Sequence, residues 1–428
     1  MSFKVFQGIK GLKILVNHMN DALSTSFIIL VKVGVDNEIK KNNGISHFIE
    51  HLYFKGTKNF PNPKSLLEEI DKMGGIYNAF TTYQYTGFYI KVLPQFSEKA
   101  IFLLNDILVN SLFDKEEIDK ERQVIFEEIN MYNDDPAQLV VDFGYRLSFG
   151  DQPAGWPILG SKDSLQNITR NDIIDYVKNN YSFKNTFIII SGKILNLDRL
   201  LKIINENFKN YNNKKTKTII TFKNPLVKYQ ESVTLKKVDQ AHIFMSWPLP
   251  GLQRLHDKRY LFSLLALIVG GKSSSRLWLK VREELGAAYY LRSYFTGYSN
   301  RSLFAIHAGI ALDKLTYVLE NIVKEINNLK KFNITESECL LAKTVVESDL
   351  FLRLEDSFSS GLFYGRQLLE EGKVLKPAEI IKKIKTISVK DIKKIINNLF
   401  TYKNLKFTAI LPEAYKNYSF SKIFKKLV

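Results

Sequence analysis

Residues 168–173, ITRNDI, recur with small changes as residues 387–392, ISVKDI. The offset of 219 residues (387 − 168) holds without a gap, since YSFKN at 181–185 falls on FTYKN at 400–404. Both hexapeptides place Ser or Thr three residues before Asp, which is the pattern of a helix N-terminal capping box. An apolar, strand-like run follows each copy. Each half of the chain is therefore predicted to end with a helix, a short turn and a strand.

The repeat divides the chain into two halves, and 428 residues are enough for two separate cores. The stretch 209–217 is rich in Lys and Asn and has no apolar periodicity, which suits a linker. We expect a first domain over 1–215, a linker over 216–230 and a homologous second domain over 231–428.

Each half is predicted to be a mostly antiparallel sheet covered by helices on one face, which makes the fold class α+β. Strand-like apolar runs and 3.6-residue periodicity locate the main elements of the first half. Strands are predicted at 12–16, 27–33, 77–80 and 85–92, and helices at 63–73 and 116–132.

Composition excludes several classes of protein. A hydrophobic content of 45% and a charged content of 25% are those of an ordinary globular protein. Cys339 is the one cysteine, so neither a disulfide framework nor a thiolate zinc cluster can form within the chain. The net charge is +17, but the lysines are dispersed and no nucleic-acid motif accompanies them. We expect no nucleic-acid partner and no membrane span.

The segment His47-Phe48-Ile49-Glu50-His51 has the spacing of a metal-binding helix. Side chains at i, i+3 and i+4 point to one face of an α-helix, so two imidazoles and a carboxylate share that face. A catalytic zinc needs three protein ligands and an open position, and the third ligand is often a carboxylate from another element. The remaining histidines stand alone and are not expected to be ligands: His18, His242, His256 and His307.

The predicted helix 116–132 offers carboxylates for that third position. Glu121 and Glu128 are seven residues apart and share one stripe of the helix, so both can face the metal. Glu127 competes by adjacency, but its side chain points about 100° away from that of Glu128.

The His-x-x-Glu-His segment resembles the pitrilysin-type inverzincin peptidases, in particular their smaller, mitochondrial-processing-peptidase-like branch. The resemblance extends to the segments 44–46, 54–57 and 74–81, and in the second half to 270–277 and 282–289. It implies a zinc site with His47 and His51 as ligands and Glu50 as catalytic base. It also implies Glu128, at 128 − 51 = 77 residues after the second histidine, as third ligand, with Glu121 in support.

The same resemblance implies how a substrate is held. Asn78 and Ala79 match the edge strand that binds peptide through its main chain. Arg282 and Tyr289 match a pair that contacts the substrate carbonyl near zinc, where a donor stabilises the developing oxyanion.

We therefore predict a zinc-dependent endopeptidase that hydrolyses peptides or unfolded segments inside an enclosed chamber, with one Zn²⁺ per chain. The expected assembly is a homodimer, with a heterodimer as the alternative. The N-terminus lacks the features of a signal peptide, so we expect a cytoplasmic protein. Enzymes that accept basic presequences are expected to have acidic cavities, and because this chain has a net charge of +17 we expect a bacterial-like cytoplasm rather than a mitochondrial matrix. The competing interpretation is a non-catalytic structural or partner subunit of a related complex.

Overall fold

The computed structural model describes residues 2–212, 222–332 and 334–427. The first half contains both sheet strands and covering helices. Its strands are β1 (Ser2–Gln7), β2 (Lys13–His18), β3 (Thr25–Val31), β4 (Ile76–Thr81), β5 (Thr86–Val92) and β6 (Thr186–Gly192). Its helices are α1 (Ile45–Leu52), α2 (Pro63–Asp71), α3 (Ser97–Asn110), α4 (Lys115–Asn133), α5 (Pro136–Phe149), α6 (Lys162–Gln166), α7 (Arg170–Asn180) and α8 (Leu197–Asn207).

The second half repeats this arrangement. Its strands are β7 (Gln230–Leu235), β8 (Gln240–Pro250), β9 (Ala288–Gly297), β10 (Arg301–Ala311) and β11 (Lys406–Leu411). Its helices are α9 (Leu252–Leu255), α10 (Arg259–Ala266), α11 (Leu315–Phe332), α12 (Glu336–Arg353), α13 (Ser357–Glu371), α14 (Pro377–Lys385), α15 (Val389–Leu399) and α16 (Ser421–Phe424). Two π-helical stretches, Leu267–Gly271 and Trp278–Glu284, precede β9.

The two sheets have matching strand orders. The first runs β1-β2-β6-β3-β5-β4 and the second runs β7-β11-β8-β10-β9. Each sheet has one parallel pair, β2 with β6 and β7 with β11, and its other pairs are antiparallel. Apart from β1, the sheets correspond strand for strand. The predicted α+β fold of two duplicated, mostly antiparallel halves is confirmed.

The repeated hexapeptides begin equivalent helices. In α7 the Thr169 hydroxyl accepts from the backbone N–H of Asp172 at 3.2 Å, and the Asp172 carboxylate accepts from the N–H of Thr169 at 2.9 Å. In α15 the pair Ser388 and Asp391 makes the same two bonds at 3.3 and 3.1 Å. The capping boxes therefore form as predicted, and each helix leads into the last strand of its sheet, β6 or β11.

The compact units of the chain differ from the predicted contiguous domains 1–215 and 231–428 in two segments. Asn130–Trp156 belongs to the second unit, and Leu350–Lys376 belongs to the first. The predicted linker 216–230 lies partly outside the described residues. Its described part runs from 222 to 230; residues 222–229 contain no helix or strand, and Gln230 begins β7.

The exchanged segments each supply a helix to a sheet of the other half. Helix α13 packs on the first sheet, where Asn17 donates to Ser360 at 2.9 Å and a Cβ at Gly361 would lie 2.8 Å from the Cβ of Ser191. Helix α5 packs on the second sheet, where the hydroxyls of Ser148 and Ser246 are 2.8 Å apart. Helices thus cover a second face of each sheet, in addition to the one face that was predicted.

The core of the first unit fixes the helices around the candidate site. The apolar face of α1 is buried there together with residues of β3, β5, α3 and α4. In the described part of the chain, no helix is both long enough and apolar enough to cross a membrane.

Candidate metal centre

Helix α1 carries the His-x-x-Glu-His segment and is fixed at its first turn. Its N-cap residue Gly44 has a φ of 95°, and a Cβ there would lie 2.6 Å from the carbonyl oxygen of Leu159. The buried Glu38 carboxyl accepts from the backbone N–H groups of Gly44 at 2.9 Å and Ser46 at 3.0 Å. These N–H groups have no partner within the helix, so Glu38 satisfies them and defines where α1 begins. Burial raises the pKa of Glu38 to about 7.

Three side chains from two helices converge beside this turn. His47 Nε2 and His51 Nε2 from α1 each lie 3.7 Å from the same oxygen of Glu128 on α4. The two imidazole rings are 4.7 Å apart in an edge-to-face arrangement. Among the described residues, these three form a group whose ligand atoms all lie within 4.8 Å of one another. Glu127, the competing carboxylate, is exposed.

The donor set fits a zinc ion. Bonds of about 2.0–2.1 Å in a tetrahedron place neighbouring ligand atoms about 3.3 Å apart. The observed separations of 3.7 Å between the imidazole nitrogens and the Glu128 oxygen are slightly longer. Two imidazoles and one carboxylate are also the donor types found at catalytic zinc sites that keep a fourth position open.

A second carboxylate orients one of the imidazoles by contacting the ring nitrogen that faces away from the group. Glu121 Oε2 lies 3.1 Å from His51 Nδ1, and its other oxygen accepts from Lys55 Nζ at 2.7 Å. A hydrogen bond at Nδ1 directs the lone pair of Nε2 toward the centre of the group. His47 Nδ1, by contrast, is buried without a hydrogen-bond partner in the described part of the chain. Glu121 therefore supports His51 selectively.

The surroundings of these groups shift their pKa values in different directions. Burial, with a contribution from His51, lowers the pKa of His47 to about 3, so its imidazole is neutral and able to bind a metal. Burial opposes ionisation of Glu121, but hydrogen bonds from His51 and Lys55 hold its pKa below the ordinary value. Burial raises the pKa of Glu128. For His51, burial is outweighed by the Glu121 hydrogen bond and the nearby carboxylates, which raise its pKa.

Glu50 lies on the same helix but bonds to a strand. Its Oε2 accepts from the hydroxyl of Thr81 at 2.5 Å. Burial raises the pKa of Glu50, and the Thr81 hydrogen bond opposes this change. One carboxylate oxygen is thus held by β4, which leaves the other as the atom available for proton transfer.

Strand β4 is the outer strand of the first sheet. Asn78 and Ala79 lie in its middle, opposite Tyr89 and Phe88 of β5. The side-chain oxygen of Asn78 accepts from the N–H of Ala79 at 2.8 Å. The structure therefore brings the predicted peptide-binding strand and the catalytic base candidate together through Thr81.

Arg282 and Tyr289 lie near each other in the second unit. The guanidinium of Arg282 donates to the carbonyl of Ala288, the residue before Tyr289. The Tyr289 side chain is 65% exposed. Its ring is thus free to contact another molecule.

Three residues of this centre escaped sequence reasoning: Glu38, Lys55 and Thr81. Lys55 and Thr81 belong to segments that carry the family resemblance, and Lys55 is four residues after His51, a spacing that favours the same side of the chain although α1 ends at Leu52. That spacing was a usable signal. Glu38 offered none, because a loop carboxylate near a helix start caps it only if the loop folds back.

Fold and site together define a two-unit α+β protein with a His-His-Glu group of metal-binding type. Residues 13–162 match the Insulinase (Peptidase family M16) domain, and residues 167–346 match the Peptidase M16 inactive domain. An uncharacterized zinc protease of Rickettsia felis is 32% identical over 94% of this chain and 95% of its own length. One of Bacillus subtilis is 30% identical over 91% of this chain and 94% of its own. The chain belongs to peptidase family M16.

Solved structures share the fold at lower identity. A protease from Helicobacter pylori has a TM-score of 0.89 at 23% identity, covering 96% of this chain and 100% of its own. A chain of complex III2 from Candida albicans has a TM-score of 0.85 at 19% identity, covering 99% of both chains. One fold thus occurs in a protease and in a chain of complex III2, so function has to be argued from the site.

Proposed function

We propose that this protein is a zinc-dependent endopeptidase that cleaves peptides or unfolded segments within an enclosed chamber. The observation that carries the proposal is the equal 3.7 Å approach of His47 Nε2 and His51 Nε2 to one Glu128 oxygen. These three residues would hold one Zn²⁺ per chain. The zinc protease names of relatives at 30–32% identity agree with this metal.

A Zn²⁺ held by His47, His51 and Glu128 would supply Lewis acidity and would lower the pKa of a water molecule toward neutrality. Glu50 accepts the proton of the attacking water and later delivers it to the leaving amine. Because water is the nucleophile, no acyl-enzyme forms. Glu121 keeps His51 in the orientation that the site requires, through the 3.1 Å contact at Nδ1.

Substrate is proposed to bind as an added strand at β4. In the segment of Asn78 and Ala79, main-chain hydrogen bonds to Ala79 hold a peptide in extended form, with little demand on its side chains. In this reading the side-chain oxygen of Asn78, which accepts from the N–H of Ala79 at 2.8 Å, is replaced by a peptide carbonyl.

We further propose that the active form is a homodimer in which Arg282 and Tyr289 of one chain complete the site of its partner. One chain carries both the metal group and this pair, which favours self-association over a separate inactive partner. A mixed dimer of His47→Ala and Arg282→Ala chains has one intact composite site. We expect it to recover activity that neither parent has; two inactive parents that stay inactive when mixed would contradict the composite site.

The competing role is a non-catalytic subunit, which the fold alone allows. The presence of His47, Glu50, His51 and Glu128 favours the enzyme, because a structural subunit has no use for three converging metal ligands beside a buried base. The bacterial relatives favour a bacterial-like cytoplasm as the location.

Glu50→Gln tests the proposal directly. The substitution keeps size and the acceptor for Thr81 but removes the base, so hydrolysis of an unstructured peptide should fall about 10²–10⁴-fold. Zinc content, measured by metal analysis, should stay near one per chain. Glu127→Gln, an exposed neighbour of the site, is the matched control and should keep full activity. Equal activity of wild type and Glu50→Gln would refute the mechanism.

A further inference from the structure

We propose that Thr81 is a positioning residue that couples peptide binding at the free edge of β4 to the orientation of Glu50. This inference rests on the proposed function and deepens it. In this proposal the main chain of Thr81 binds the peptide, and its side chain binds Glu50.

The hairpin register determines which main-chain groups of β4 face outward. Thr82 N–H donates to the carbonyl of Tyr85 at 2.9 Å, so Thr82 and Tyr85 form a hydrogen-bonded pair. Hydrogen-bonded and non-hydrogen-bonded pairs alternate along an antiparallel ladder. Thr81, opposite Thr86, and Ala79, opposite Phe88, are therefore at non-hydrogen-bonded positions. Their N–H and C=O groups point away from β5, toward the edge where a peptide strand can add.

The side chains of Thr81 and Ala79 share one face of the strand, because side chains alternate with a period of two. Ala79 packs against the core that contains α1, and the Thr81 hydroxyl reaches Glu50 on that helix. Phe80, the intervening residue, packs instead with the cluster on the opposite face of the sheet. Thr81 is thus the point where the outer edge of β4 and the catalytic helix are joined.

The hydroxyl can act only as donor to the ionised carboxylate, because a carboxylate has no proton to give. Donation to Oε2 fixes the χ3 rotation of Glu50 and directs Oε1 toward the attacking water. A peptide bound to the main chain of Ala79 and Thr81 restrains Thr81, and Thr81 in turn restrains Glu50. Peptide binding therefore immobilises the base at the time of reaction.

Thr81→Val tests this role, because valine keeps the shape and β-branching of threonine and lacks the donor. We expect kcat to fall about 10²-fold, the effect of a misplaced catalytic group. KM should change less than about threefold, since the main chain that binds peptide is retained. Zinc content and thermal midpoint should match those of the wild type. Thr81→Ser, which restores the hydroxyl, should recover kcat to within about fivefold of the wild type.

The matched control is Thr82→Val, the same substitution one position along the hairpin. The hydroxyl of Thr82 bonds to the turn, to Tyr85 and Gln84, whereas the Glu50 carboxylate bonds to Thr81, so the kcat of Thr82→Val should stay at the wild-type value. If Thr81→Val fails to fold, Thr81→Ala carries the same expectation for kcat and KM.

Two results would overturn the inference: an unchanged kcat in the valine or alanine variant, or a serine variant as impaired as the valine variant. Both are distinct from failure of the proposed function itself. If the proposed function itself fails, Glu50→Gln would be as active as the wild type, whatever the residue at position 81.

Discussion

The two halves of this protein have matching sheets but differ in one helix, which lies between β3 and the edge strand β4 in the first half and between β8 and the edge strand β9 in the second. In the first half α1 places His47, Glu50 and His51 toward Glu128. In the second half α10 occupies the same place in the topology and buries Phe262, Leu264 and Leu265. The scaffold is thus complete without metal ligands. The chemistry of the first half is an addition that the fold does not need.

The addition has a physical consequence. Burial raises the pKa values of Glu38, Glu50 and Glu128, which means that their charged forms are destabilised where they lie. The apolar helix of the second half carries no such penalty. Function in the first half is therefore held in place by specific hydrogen bonds, and each of these can be removed.

The largest difference between the halves should follow loss of a ligand. His47→Ala removes one of three ligand atoms, so zinc should be lost and peptide hydrolysis abolished. Metal analysis and a peptide-cleavage assay measure both. His256→Asn in the second half is the control, with asparagine chosen because His256 has a φ of 46°; it should retain both properties. If His47→Ala retained zinc at wild-type affinity, the conclusion that the first half differs from the second by its metal ligands would be wrong.

The second effect is a pH dependence that Glu38 gives to the first half. The pKa of Glu38 is raised from 4.5 to about 7, so the folded chain binds this proton more tightly than the unfolded chain. Stability contributed by the protonated carboxyl is present below pH 4.5 and is lost as the pH rises through 7. The loss across this window is up to about 3 kcal/mol.

Denaturant unfolding of zinc-free protein at a series of pH values measures it. Glu38→Gln, which stays neutral, should have a smaller decrease in unfolding free energy between pH 5 and 7. Glu98→Gln on the exposed part of α3 is the control. Identical pH profiles for wild type and Glu38→Gln would show that Glu38 ionises as freely as a surface carboxylate.

A smaller effect, on zinc affinity, is expected from Glu121, which contacts a metal ligand and not the metal. Glu121→Gln weakens the carboxylate contact to His51 Nδ1 and to Lys55, so zinc affinity should fall about 10–100-fold. Competition with a chelator measures this change. Glu117→Gln, one turn earlier on α4 and paired with exposed Lys120, should leave affinity unchanged. An unaltered affinity in Glu121→Gln would mean that packing alone orients His51.

The smallest effect should be equal in the two halves. Thr169→Ala and Ser388→Ala each remove the hydroxyl of a capping box, at α7 and α15. Each should lower unfolding free energy by about 1 kcal/mol, measured by denaturant titration. Zinc content should not change in either. A marked inequality would show that the repeated helices, although alike in sequence and capping, contribute differently to their units.

The sequence by itself determined the features that depend on local spacing. A 3.6-residue period puts His47, Glu50 and His51 on one face, and the seven-residue spacing of Glu121 and Glu128 puts both on one stripe. The repeated capping boxes likewise determined where α7 and α15 begin. Element ends were predicted closely where the pattern was strong, as for α4, predicted at 116–132 and observed at Lys115–Asn133.

Tertiary structure decided which groups meet. The stripe on α4 does not tell which carboxylate approaches the imidazole Nε2 atoms and which approaches Nδ1; the docking of α4 against α1 does. Nor does the apolar face of α5 or α13 identify the sheet that it covers, because hydrophobic burial is non-directional and either sheet offers an apolar surface. Thr81 is 31 residues from its partner Glu50, and Glu38 lies in a loop that must fold back onto the start of α1, so only the folded chain brings either contact about.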